Sequence, residues 1–266
     1  MRRARHSRAS GREEVVDELF GTRGLEAEPI APGPDEHFPL RPFAGSIARS
    51  DRLPEGADAD APEPERRFRR ASEAARKGQR HEAILQYQEL LALEPAHVPA
   101  HVNLSQLLEE RGDSDAALAQ LNEALRRRPE DPLLLLTRGA LQGRLKRYAE
   151  AEHDLRRALH ARPNDVEAHF TLGLVLWRKG LPLEAAAALR RAVELGPAEP
   201  LAHYYLGEAL HQANDIAGAR AALERAAELD PGDPRPLQLL GRILDRLKRP
   251  EEARAMYQRA RKARRQ

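Results

Sequence analysis

Residues 146–163 read KRYAEAEHDLRRALHARP, and this stretch decides the fold. Ala151, Leu155 and Ala158 recur every three or four residues, a spacing that predicts a helix with one packed face. Pro163 ends that helix, because proline lacks an N–H group and disfavours helix in the residue before it. The stretch therefore has a recognisable signature of alanine, a large residue, alanine and proline at fixed offsets.

The signature recurs with a period of 34 residues, in copies that begin at residues 64, 98, 132, 166, 200 and 234. Position 20 is alanine in all six copies, namely Ala83, Ala117, Ala151, Ala185, Ala219 and Ala253. Position 8 is small, as Ala71, Ser105, Gly139, Gly173, Gly207 and Gly241, and position 24 is large, as Tyr87, Leu121, Leu155, Leu189, Leu223 and Tyr257. Position 27 is alanine in copies two to six, and position 32 is proline in copies one to five. These constraints predict stacked repeats rather than one compact core.

Position 15 marks the turn inside each repeat. Gly78, Gly112, Gly180 and Asn214 occupy it in four copies, and these residue types adopt a left-handed backbone conformation at little cost. Lys146 and Lys248 occupy the same position in copies three and six. We therefore expect those two turns to be less relaxed than the others.

These marks resemble the tetratricopeptide-repeat family over residues 64–266. The resemblance implies an all-α fold, a right-handed α-solenoid of six helical hairpins whose concave groove is lined by the first helix of each repeat. It also implies a non-catalytic scaffold, adaptor or assembly factor that binds a protein or peptide segment in the groove. In this geometry positions 2, 5, 6, 9, 12 and 13 of each first helix face the groove.

Aromatic and cationic residues concentrate at those positions in the middle of the array. The predicted partner-binding residues are Asn103, Arg144, Phe170, Thr171, Leu174, Trp177, Arg178, Tyr204, Tyr205, Glu208, His211, Arg242 and Arg246. Aromatic side chains are favoured anchors because they bury a large area at a low entropic cost, and the flanking arginines favour an acidic partner segment. The alternative is that some of these side chains, especially those at position 5, form the core between repeats.

Residues 1–63 differ from the array in composition. They are rich in proline, glycine and charge, which predicts a disordered or extended tail. A short helical segment is predicted at residues 13–20, where Val15, Val16, Leu19 and Phe20 are apolar. This segment either contacts a partner or the array, or is a linker with incidental apolar residues.

Several classes of site and location are disfavoured by composition. The chain has no cysteine, so it forms no disulfide and no thiolate zinc site. It has no apolar run long enough for a signal peptide or membrane span, and we expect a cytoplasmic protein. We find no phosphate-binding glycine loop and no catalytic motif. His101, His169 and His203 recur at position 4, one or two repeats apart, which is too far to share a metal ion. We therefore expect neither cofactor nor catalysis.

Charge is distributed unevenly along the chain. Residues 1–63 carry 9 basic and 13 acidic residues, whereas residues 64–266 carry 35 and 29, and residues 241–266 alone carry 10 and 3. A basic end leaves open a second function, the binding of nucleic acid or another polyanion. A third possibility is an accessory subunit for an enzyme encoded on another chain. The last repeat also lacks a following polar helix, which leaves open solvation, a partner or self-association there.

Overall fold

The computed structural model describes residues 62–264, which contain twelve α-helices and no strand. In chain order the helices are α1 Glu63–Arg76, α2 Arg80–Leu93, α3 Val98–Glu110, α4 Ser114–Arg127, α5 Pro132–Arg144, α6 Tyr148–Ala161, α7 Val166–Arg178, α8 Pro182–Leu195, α9 Pro200–Gln212, α10 Ile216–Leu229, α11 Arg235–Arg246 and α12 Pro250–Ala263. Each odd-numbered helix packs on the next even-numbered one to form a hairpin, and each hairpin packs on its neighbour. The predicted all-α solenoid of six hairpins is confirmed. The predicted helical segment at residues 13–20 lies outside the described range.

Every hairpin turn uses a left-handed residue at position 15. The backbone φ is +75° at Gly78, +90° at Gly112 and +81° at Gly180, and it is 63° at Asn214. Lys146 and Lys248 adopt the same conformation, with φ of 60° and 57°. The turn geometry is thus set by the stacking of the helices, and the two lysines adopt a conformation that is unfavourable for a residue with a Cβ atom.

Close packing within each hairpin explains the small residue at position 8. A Cβ atom added to Gly173 would lie 2.5 Å from Cγ of Leu189, and one added to Gly207 would lie 2.6 Å from Cγ of Leu223. Both leucines occupy position 24 and are fully buried. The glycines and leucines of one repeat therefore fit together as complementary shapes.

Consecutive repeats are also joined by polar contacts. The Nε2 atoms of His101, His169 and His203 donate hydrogen bonds to the carbonyl oxygens of the prolines that end the preceding repeats, at 3.0, 2.9 and 3.0 Å. The acceptors are Pro95, Pro163 and Pro197. The recurring histidine at position 4 is therefore a clamp between repeats. Sequence reasoning identified the recurrence but not this bond.

A buried ion pair holds the third repeat together and links it to the second. The guanidinium of Arg138 donates from Nε and Nη2 to the carboxylate of Asp154, at 2.6 and 2.8 Å. Its Nη1 atom donates to Oδ1 of Asn122 in the preceding repeat, at 2.7 Å. Asp154 is only 2% exposed, and the bidentate geometry compensates for the burial of its charge.

The outward face of the sixth repeat is suited to water. Position 28 of each repeat lies on its second helix and is apolar in repeats one to five, as Leu91, Leu125, Leu159, Val193 and Ala227. In repeat six it is Arg261, which is exposed. The last described helix therefore carries a charged, exposed side chain at a position that is apolar in the other five repeats. None of the helices in residues 62–264 is both long and apolar enough to cross a membrane.

Candidate functional site

A cavity of about 970 Å³ opens on the side of the array that is lined by the odd-numbered helices. Consecutive odd-numbered helices α1, α3, α5, α7 and α9 contact one another, so they form one continuous surface. The cavity lies over α1, α3 and α5, with further side chains from α2 and Glu167 of α7. Its apolar lining comes from Ala75, Leu107, Leu133, Leu136 and Ala140. The volume falls in the range of cavities that hold ligands.

The floor of the cavity contains a small hydrogen-bond network. The Tyr87 hydroxyl accepts a hydrogen bond from Nδ2 of Asn103 at 2.9 Å and shares another with the Ser72 hydroxyl at 2.9 Å. Burial raises the pKa of Tyr87, so its hydroxyl stays protonated at neutral pH. Oδ1 of Asn103 is buried and accepts no hydrogen bond from the part of the chain described. The network therefore leaves one carbonyl acceptor unused beside the cavity.

Charged residues form the rim of the cavity in matched pairs. Nη2 of Arg144 donates to Oε2 of Glu109 at 2.6 Å, and Nε of Arg80 lies 3.3 Å from Oε2 of Glu110. The side chain of Arg144 is only 13% exposed, so its charge is largely neutralised within the protein. Sequence reasoning included Arg144 as a groove cation, whereas the structure shows that it pairs across adjacent repeats.

The predicted aromatic residues of repeats four and five form a packed cluster. The ring centroid of Tyr205 lies 6.0 Å from that of Phe170, 5.6 Å from that of Trp177 and 5.1 Å from that of Tyr204, and each pair of rings is in an edge-on arrangement. Trp177 and Tyr204 are half-buried. Phe170, Thr171, Leu174 and Tyr205 are at most 4% exposed.

The burial of these four residues corrects the expected contact surface. They pack beneath the groove because the aromatic rings fill the space between α7 and α9 and exclude water from it. Asn103, also predicted to face a partner, is 5% exposed and reaches the cavity only through its amide. Of the predicted residues in repeats four to six, those whose side chains stay accessible are Trp177, Arg178, Tyr204, Glu208, His211, Arg242 and Arg246.

Arginines cover the aromatic cluster from two sides. The guanidinium of Arg178 lies 5.4 Å from the Trp177 ring centroid, and that of Arg235 lies 5.0 Å from the Tyr204 ring centroid. Arg235 is held in place by Asp233, which accepts from its Nη2 atom at 2.8 Å. Cations at this distance from ring faces are stabilised electrostatically. Arg235 was not among the predicted partner-binding residues, although its place at the groove-facing position 2 could have identified it.

A polar face follows in repeats five and six. The Tyr204 hydroxyl donates to Oε1 of Glu208 at 2.8 Å, and burial raises the pKa of Tyr204. Burial, reinforced by the charges of Arg246 and Arg242, lowers the pKa of His211. Arg242 and Arg246 are exposed one turn apart on α11, and neither forms an ion pair with an acidic residue within residues 62–264.

Residue size explains why the cavity lies in the first three repeats. Positions 9 and 12 face the groove and are mostly short there, with Ser72, Ala75, Ala140 and Gly143. In repeat four the same positions are Leu174 and Trp177, which fill the space. This size pattern is visible in the sequence and could have located the cavity. In the described range no group of three or more His, Asp or Glu side chains is placed to hold a metal ion.

Comparison with known families agrees with this architecture. One tetratricopeptide-repeat model matches residues 68–132, 136–200 and 176–234, and a second matches residues 210–266. The chain belongs to the tetratricopeptide-repeat family. Tetratricopeptide-repeat proteins are typically protein-interaction scaffolds. A comparison with curated protein sequences gives no significant match.

Solved tetratricopeptide-repeat structures are similar over most of the described range. MamA from Desulfovibrio magneticus RS-1 is 28% identical with a TM-score of 0.59, and the match covers 62% of this chain and 93% of MamA. PilW, described as a type IV pilus biogenesis factor, is 21% identical with a TM-score of 0.66 over 74% of this chain and 91% of PilW. YrrB, described as having an unusual peptide-binding site, is 22% identical with a TM-score of 0.59 over 67% and 92%. The last two similarities establish the fold alone.

Proposed function

We propose that this protein is a non-catalytic adaptor or complex-assembly factor that binds a segment of a partner protein along its concave surface. The observation that carries the proposal is the cavity of about 970 Å³ in repeats one to three, which combines apolar walls with an unused buried acceptor. Burying one leucine-sized side chain of a partner there would contribute about 1.5–3 kcal/mol. The Asn103 carbonyl would accept a hydrogen bond from the backbone of the same segment.

The accessible residues of repeats four to six extend this surface. They line the continuation of the groove and favour a segment that carries acidic residues next to its apolar anchor. These residues are Trp177, Arg178, Tyr204, Glu208, His211, Arg242 and Arg246. The crystallised protein YrrB has the same fold and is described as having a peptide-binding site, which is consistent with this use of the surface. A cytoplasmic location and self-association through the last repeat stay predictions.

The experiment is affinity capture from a lysate of the source cells, with partners identified by mass spectrometry. Full-length wild type is compared with Ala140→Arg, which places a charged side chain in the cavity, and with the matched control Ala119→Arg on the exposed face of α4. We expect one protein to be recovered by the wild type and by Ala119→Arg and lost with Ala140→Arg. Equal recovery by all three folded proteins would refute cavity binding.

The binding of a polyanion is the second candidate function. The exposed residues Arg242, Arg246, Arg261 and Lys262 of the last repeat favour it. Binding to a nucleic acid would weaken steeply with salt, since each neutralised phosphate releases a counterion. Titration of a fluorescent single-stranded oligonucleotide at 50 and 200 mM salt tests this candidate, and no binding at 50 mM would exclude it.

A further inference from the structure

Two hydrogen-bonding groups in the groove of repeats four and five have no partner. They are Nε1 of Trp177 and Nδ1 of His211, which are buried and unpaired within the described part of the chain. Both residues occupy position 12, on the neighbouring helices α7 and α9. A buried polar atom without a partner destabilises the folded protein, and an indole N–H can only donate. The indole N–H therefore needs an acceptor from outside residues 62–264, and the imidazole can donate to the same acceptor when the neutral ring carries its proton on Nδ1.

The charges around the two residues favour an anionic acceptor. Arg178 lies over the Trp177 ring, and Arg242 and Arg246 are close enough to His211 to act on it electrostatically. The two nearby carboxylates are already engaged, because Glu208 accepts from the Tyr204 hydroxyl and Asp245 accepts from the Tyr257 hydroxyl, each at 2.8 Å. Arg178, Arg242 and Arg246 thus bring three positive charges to this part of the groove, against the two negative charges of Glu208 and Asp245.

We propose that Trp177, His211, Arg242 and Arg246 form a carboxylate site that receives an aspartate or glutamate side chain of the partner segment. This inference rests on the proposed function and adds the chemistry of the partner. A carboxylate on a short flexible stem can reach donors that lie below the surface, whereas a phosphodiester is flanked by bulky sugars. The indole nitrogen is buried although Trp177 as a whole is half-buried, so binding requires the ring to rotate toward the partner side chain. The site thus accepts acidic peptides in preference to nucleic acid.

The test uses Trp177 as a reporter, because it is the one tryptophan in the sequence. Its indole N–H gives a single resonance in a ¹H–¹⁵N correlation spectrum of the full-length protein. The ligand is a decapeptide of alternating glutamate and alanine, and the control peptide has glutamine in place of glutamate. We expect a saturable downfield shift with the glutamate peptide and none with the glutamine peptide.

Charge-removing variants then locate the site. Arg242→Gln combined with Arg246→Gln should raise the Kd for the glutamate peptide about tenfold, since each exposed ion pair contributes up to about 1 kcal/mol. The matched control Arg259→Gln removes an exposed charge from the second helix of the same repeat, and it should change the Kd less than twofold. Equal shifts with both peptides, or a double variant that binds like wild type, would overturn the proposal.

Two further arms separate the alternatives. A single-stranded oligonucleotide that moves the indole resonance while the glutamate peptide does not would assign the basic surface to nucleic acid and overturn the carboxylate site. Ala140→Arg, which blocks the cavity, should leave the glutamate-induced shift unchanged. If the captured partner is lost with Ala140→Arg but retained by the Arg242→Gln/Arg246→Gln protein, the proposed function stands and the carboxylate site fails.

Discussion

Replacing Lys146 and Lys248 with glycine should stabilise the protein. Both lysines have a φ near +60° in turns where the other repeats have glycine or asparagine. A left-handed conformation costs a residue with a Cβ atom about 1–2 kcal/mol. Glycine loses about 0.5–1 kcal/mol more conformational entropy on folding, so the net gain is about 0.5–1 kcal/mol at each turn. The two turns lie in repeats three and six, so their effects should add to about 1–2 kcal/mol.

Thermal unfolding followed by circular dichroism measures this gain, which corresponds to a rise in Tm of about 4 °C. Lys77→Gly is the matched control, because Lys77 precedes Gly78 in the first turn and has an ordinary φ of −76°. There glycine brings no relief of strain, and we expect a loss of about 0.5 kcal/mol. The reasoning is refuted if Lys146→Gly and Lys248→Gly lower the Tm, or if Lys77→Gly raises it by the same amount as they do.

Three further predictions concern packing, protonation and charge. Gly207→Ala should lower the free energy of unfolding, measured in urea, by about 1–2 kcal/mol, because the clash of the new Cβ atom with Leu223 outweighs the gain in helix propensity of about 1 kcal/mol. A more stable variant would contradict this. Burial lowers the pKa of His101, whose Nδ1 also accepts from Gln120, so the unfolded chain takes up a proton before the folded protein does as the pH falls below about 6.5, and stability is lost in that range. In urea unfolding, the free energy of unfolding should fall about 1 kcal/mol less between pH 7.5 and pH 5.5 for His101→Gln than for wild type. Equal losses would argue against the assignment. Asp154→Asn should lower the free energy of unfolding, measured in urea, by about 2 kcal/mol, because Arg138 keeps its hydrogen bond to Asn122 but loses its buried carboxylate partner. A change below about 0.5 kcal/mol, the size typical of exposed ion pairs, would show that the pair is effectively solvated.

The sequence was sufficient to predict the solenoid and the register of its repeats. Alanine at position 20, a small residue at position 8 and proline at position 32 each meet a local steric requirement that recurs every 34 residues. Such demands are met by the residue at that position alone, so each can be recognised without knowing its neighbours. The left-handed turns at Lys146 and Lys248 follow from register even though lysine itself does not indicate them.

The groove was harder to predict because exposure depends on several repeats at once. Phe170 and Tyr205 occupy groove-facing positions, yet each is buried by the rings of its neighbours, with Phe170 and Trp177 both against Tyr205. Arg144 was taken as a free cation, but its partner Glu109 lies 35 residues earlier, on the neighbouring odd-numbered helix. Such pairings require the relative placement of adjacent repeats.

The most direct test of partner binding in the cavity is a calorimetric titration of the binding segment mapped on the captured partner. The full-length wild-type protein and Ala119→Arg should bind this segment with the same Kd. Ala140→Arg should weaken binding at least tenfold, because the new side chain occupies the volume in which an apolar anchor would be buried and adds a charge that must be desolvated. Binding to Ala140→Arg within twofold of wild type, with the fold of the variant verified, would contradict the assignment of the cavity as the binding site.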